Sequence, residues 1–117
     1  MNKSIKISID GQEYIIKFPN VGEILDIETK KAALSNGQYK ELVQMNTKNS
    51  YWVLDIIDSI ATFSTLIPQL REKLSVSSYG ELDQFTAKKI VKAYNKTYLP
   101  FFKEINDELQ KFDEDEE

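Results

Sequence analysis

Cysteine and histidine are both absent from this chain. Without cysteine there is no disulfide framework, no thiolate nucleophile and no thiolate zinc site. Without histidine the commonest general base and metal ligand are missing, as is the usual partner of a nucleophilic serine. An enzyme built on this sequence would have to work with carboxylates, lysines and tyrosines, so catalysis is not expected. Glycine occurs only at positions 11, 22, 37 and 80 and never in a cluster, which leaves no phosphate-cradling loop. The opening MNKSIKISID lacks the apolar core of a secretory signal. The most apolar stretch, Trp52 to Leu70, is interrupted by Asp55, Asp58 and Pro68 and is too polar to span a bilayer. A soluble, cytoplasmic protein without a membrane partner is expected.

What is present is ordinary globular material. At 117 residues, 41% apolar and 29% charged, the chain has the length of one domain. A chain of this size buries roughly two-thirds of its unfolded surface, enough for a core without covalent staples. The net charge of −4 is concentrated at one end. Residues 113–117 are all acidic, leaving 15 basic against 14 acidic residues in 1–112, a balance of +1. A near-neutral body with an acidic tail argues against a basic nucleic-acid-binding face and against a whole-surface nucleic-acid mimic.

Two short alternating runs open the chain. Ile5, Ile7 and Ile9 share one face of the first, and Tyr14, Ile16 and Phe18 share one face of the second. Asp10-Gly11 between them is a strong type I′ turn signal, so residues 4–18 are expected to form a β-hairpin. Its register is left open, with a longer loop through Gln12 as one way to align the apolar faces. Asn20 and Glu23 have the spacing of a capping box for a helix over about 21–34, burying Val21, Ile24, Leu25 and Ala32. Ser35-Asn36-Gly37 is a stop signal. A short helix over about 39–45 follows. The next, over about 51–74, starts from a cap at Asn49 or Ser50 and is kinked or restarted at Pro68. It sets Val53, Ile56, Ile57, Ile60, Phe63, Ser64 and Ile67 on one face, opposite a polar strip of Asp55, Asp58, Ser59, Thr62 and Thr65. The last helix, about 84–112, carries Ile90, Tyr94, Tyr98, Phe101, Ile105, Leu109 and Phe112 on one stripe and should bend near residues 96–99, just before Pro100. The expected fold is α+β and mostly helical: an N-terminal β-hairpin packed on a bundle of about four to five helices. Residues 1–112 form a single domain and 113–117 an acidic disordered tail.

Few residues suggest chemistry. Asp55 and Asp58 lie three apart on one helix, as half of a carboxylate metal site would, but a bundle site needs more inward carboxylates and usually histidine. They are expected on a solvated face, with no metal and no cofactor. Lys88, Lys89, Lys92 and Lys96 form a modest basic strip typical of an amphipathic helix surface. The sharper signal is Tyr98-Leu99-Pro100-Phe101-Phe102, apolar on nearly every side, which a helix on the surface of a monomer should not be. Tyr98, Leu99, Phe101 and Phe102 are the expected protein-binding residues. Leu99 or Phe102 should be at least partly exposed in the isolated chain, awaiting a second copy or another protein.

The segment Ile-Lys-Ile-Ser-Ile-Asp-Gly-Gln-Glu-Tyr-Ile-Ile-Lys-Phe (5–18), followed by a capped helix, resembles the start of some bacteriophage tail-assembly chaperones. These are small proteins that often open on such a hairpin, continue as helices and sometimes end acidic. Gln12 stands where that family more often has lysine, and the similarity covers about 30 residues plus overall size and layout. The resemblance implies a non-catalytic protein that holds an aggregation-prone tail component, such as the tape-measure protein, before assembly in the host cytoplasm. Alternative expectations are a small virion structural component, such as a head–tail connector or internal protein, and a host-directed inhibitor acting through the acidic tail. A carboxylate-only enzyme ranks last.

Overall fold

A computed structural model describes residues 3–115, with side chains as far as residue 112. The fold is α+β and mostly helical. Strands β1 (Ser4–Ile9) and β2 (Gln12–Lys17) form an antiparallel hairpin, followed by α1 (Val21–Leu34), α2 (Tyr39–Met45) and α3 (Lys48–Leu66). Short 3-10 turns at Pro68–Leu70 and Tyr79–Glu81 lead to α4 (Gln84–Ala93), a π-helical turn at Tyr94–Tyr98 and α5 (Leu99–Asp115). No helix among the described residues is long and apolar enough to cross a membrane.

The hairpin turn is the two-residue one. Asp10 and Gly11 both take positive φ, 52° and 80°, as a type I′ turn requires. Ile5 then pairs with Ile16, Ile7 with Tyr14 and Ile9 with Gln12. Directly opposed residues of an antiparallel pair lie on the same side of the sheet, so the apolar faces coincide and the longer loop through Gln12 is not needed. Ile7, Ile9 and Ile16 are buried, and Ile15 on the other face is exposed. The hairpin packs on α4, and Lys89 of that helix reaches Asp10 at 2.9 Å.

The start of α1 follows its sequence signal. Asn20 Oδ1 accepts from Glu23 N–H at 2.8 Å, and Glu23 Oε1 accepts from Asn20 N–H at 3.0 Å. The buried face differs from expectation. Ile27 and Leu34 enter the core, whereas Val21, Ile24, Leu25 and Ala32 are exposed. Two overlapping apolar stripes run along this helix, and the body covers only the one centred on Ile27.

Helix α3 is central, packed against α1, α2 and α4. Ile57, Ile60 and Phe63 are fully buried as the periodicity requires. Its polar strip is not solvated: Ser59, Thr62 and Thr65 are buried as well. Small hydroxyl residues tolerate this by bonding back to their own helix. Ser59 Oγ donates to the Asp55 carbonyl at 2.6 Å, and Thr65 Oγ1 to that of Ala61 at 2.8 Å. The helix begins earlier than expected, capped by Thr47, whose Oγ1 accepts from Ser50 N–H while Ser50 Oγ accepts from Thr47 N–H. It ends before Pro68, and the Arg71 guanidinium donates to the carbonyls of Ser64 and Thr65, both at 3.3 Å. At the other end of the chain, α5 continues to Asp115, three residues beyond the expected boundary at 112. Glu116 and Glu117 of the expected tail lie outside the described residues.

Candidate protein-binding surface

Pro100 shapes this region. Lacking an N–H, it leaves the carbonyl four residues back without its α-helical donor, and its ring crowds that same turn. The helix relieves this by widening over Tyr94–Tyr98, where Leu99 N–H bonds the Tyr94 carbonyl in the i→i+5 pattern. Within the widened turn Tyr94 and Tyr98 stack, centroids 5.4 Å apart, and each presents an edge-on contact to Phe63 at 5.8 and 6.3 Å. Both tyrosines are buried.

The four residues expected to bind a partner therefore separate. Tyr98 belongs to the core, because the π turn holds it against Phe63. Phe101 and Phe102 are half-buried beneath Phe18, the residue after β2. Phe102 stacks on it at 5.1 Å and Phe101 meets it edge-on at 6.4 Å. Leu99 alone faces outward, 39% exposed. It lines a cleft of about 140 Å³ with Pro19, Ile24 and Phe102, and Glu28 and Lys31 form the polar edge. Elsewhere on α1, Val21 is 86% and Leu25 67% exposed. The sequence reading missed Val21, Ile24 and Leu25 as surface residues. The available signal was the second stripe, Ile27 and Leu34 seven apart, which competes with theirs for the core.

Asp58 behind this cleft is half-buried rather than solvated. It accepts from the Tyr39 hydroxyl at 2.7 Å, and the Lys31 ammonium lies 3.6 Å away, itself 3.4 Å from Glu28. Burial raises the Asp58 carboxyl above the ordinary carboxylate range, opposed by the Tyr39 hydrogen bond and by Lys31. Asp55, also half-buried, is raised by burial and then by the Asp58 charge. Among the described residues no three potential metal-ligating side chains converge.

Three tyrosines share this environment. Burial raises Tyr94 to about 12, with the Asp58 charge adding to the effect. Burial also raises Tyr39 and Tyr98, the former reinforced by its hydrogen bond to Asp58. All three stay neutral at pH 7 and act as packing and hydrogen-bonding groups. The ordinary tyrosine value is 10.0 and these folded values lie above it. Their stabilisation is thus complete below pH 10 and is lost as pH rises toward the folded values. Alkaline unfolding should begin above that pH, with tyrosinate absorbance and helical circular dichroism changing together. Titration of all six tyrosines ahead of any loss of helix would contradict this.

Comparison of the chain with protein-family models, curated proteins and solved structures gives no match.

Proposed function

We propose that this protein is a non-catalytic assembly factor that binds another protein through the face formed by α1 and the first turn of α5, most specifically a bacteriophage tail-assembly chaperone. One observation carries this reading. Ile24 of α1 and Leu99 of α5 are exposed apolar residues that line one cleft with a Glu28–Lys31 edge, and Val21 and Leu25 extend the exposed apolar surface of α1. Exposed apolar surface of this kind marks sites of protein contact. The N-terminal hairpin, with the Asp10-Gly11 turn and alternating Ile and Tyr, supplies the link to tail chaperones. A tape-measure-type protein offers long amphipathic helices, whose apolar stripes suit a shallow groove between two helices.

The test is co-expression with the long coiled-coil protein encoded nearest to this chain. The wild type should hold that protein in the soluble fraction and co-purify with it. Ile24→Asp combined with Leu99→Asp, both exposed and both lining the cleft, should keep the circular dichroism spectrum and weaken capture. Two lost anchors at ~2 kcal/mol each correspond to roughly a thousandfold. Undiminished capture would remove this face from the function. Recovery of the chain in purified particles at a fixed stoichiometry would replace the chaperone with a virion component.

A further inference from the structure

A second apolar surface lies at the far end of α5 and does not depend on the function proposed above. The stripe that begins in the core at Tyr98 continues as Ile105, Leu109 and Phe112, spaced four and three apart. Ile105 is buried, but Leu109 is 47% and Phe112 67% exposed. These two form one wall of a groove of about 300 Å³ whose other wall is the open end of the hairpin, Lys3, Lys17 and Phe18. The Lys3 ammonium lies 3.6 Å from Glu108 across it. At ~1.5 Å per residue, the helix from Ile105 to Asp115 is about 15 Å long.

We propose that this groove is filled by α5 of a second copy of the chain, laid antiparallel across a two-fold axis near Leu109. The charge pattern fixes both the occupant and its direction. The helix that fits needs apolar residues at α-helical spacing to meet Ile105, Leu109 and Phe112, followed by negative charge to meet Lys17, Lys3 being held already by Glu108. α5 has both, since its stripe runs directly into the five acidic residues 113–117. Crossing two α5 helices antiparallel at Leu109 sets Phe112 of each copy beside Ile105 of the other. The acidic end of each then passes residues 101–105 of its partner, on the side of the groove that carries Lys17 and Lys3. A parallel pair would instead set two fivefold-negative ends side by side. Residues 113–115 of the same chain continue α5 as helix, onward from its own groove wall. The contact is self-complementary, so it closes at two copies instead of propagating.

Analytical ultracentrifugation of the full chain, with circular dichroism on every variant, tests this. The wild type should reach twice the 13.6 kDa chain mass and dissociate more readily at high salt. Leu109→Asp with Phe112→Asp should keep the spectrum and raise the dissociation constant roughly a thousandfold. Lys17→Glu, exposed at a strand end, leaves the stripe intact and should raise it roughly tenfold. With no native cysteine, Leu109→Cys should form an intermolecular disulfide on mild oxidation and Asp115→Cys should not. A wild type that stays monomeric at every attainable concentration overturns the proposal. So does a dimer indifferent both to the double variant and to Lys17→Glu. Ready cross-linking through Asp115→Cys overturns the antiparallel direction.

Discussion

Truncating Ile60 to alanine should destabilise the fold by about 2–5 kcal/mol, the range for removing a large aliphatic side chain from a core that cannot collapse around the space. Ile60 is fully buried, with Ile57 and Phe63 buried on the same helix. α3 is held on several sides, by α1, α2 and α4, so little can move in to fill the gap. Denaturant titration should show a lower midpoint at an unchanged slope. A loss below about 0.5 kcal/mol is the size of an ordinary surface substitution and would mean that α3 is not the centre of the core. For a chain of this length the expected loss is a large fraction of total stability, so the variant should also melt well below the wild type.

Tyr39→Phe should cost about 1.5–3 kcal/mol near neutral pH, the range for a hydrogen bond to a charged group. The substitution leaves the ring but removes the donor 2.7 Å from Asp58, so a half-buried carboxylate keeps only Lys31 at 3.6 Å. Because burial holds the Asp58 pKa above its ordinary 3.8, this group's stabilising contribution is present in full below 3.8 and declines as pH rises through the folded value. Removing the Tyr39 hydrogen bond raises the folded value further. The variant should therefore be most impaired at neutral pH, and its deficit should shrink as acid protonates Asp58. A deficit that grew toward low pH would mean that the Tyr39 hydroxyl favours the neutral Asp58 carboxyl over the ionised one.

The parts of the fold that were legible in the sequence are those fixed by local chemistry. Asp10-Gly11 specifies a turn that few other dipeptides can make, and the Asn20–Glu23 pair specifies a helix start. Isoleucines and a phenylalanine at α-helical spacing identify the buried side of α3. The misread parts depend on which neighbour arrives. α1 has two apolar stripes, and nothing local decides that Ile27 turns inward while Leu25 stays out. Ser59, Thr62 and Thr65 read as a solvated strip because their hydroxyls are polar, yet each is small enough to lie within a helix–helix contact. The same limit applies to the binding surface. The all-round apolar character of residues 98–102 pointed to the right turn of chain and to Leu99. It could not show that Tyr98 would be drawn inward or that Phe18 would lie over Phe101 and Phe102.

The widened turn before Pro100 also makes the aim of the final helix depend on chain length. A π turn holds one residue more than the α turn it replaces, and each residue advances a helix by about 100° and 1.5 Å. Losing a single exposed residue such as Asn95 would remove the extra residue of the widened turn and leave the proline to be accommodated by a kink instead. Everything beyond would rotate by more than a quarter turn while Phe63 and the residues before Tyr94 stayed in place. Phe102 would leave Phe18, and Leu99 would leave the α1 cleft. Leu109 and Phe112 would swing away from Lys3 and Lys17. A one-residue length change could thus separate both apolar surfaces from their neighbours without altering a single residue of either.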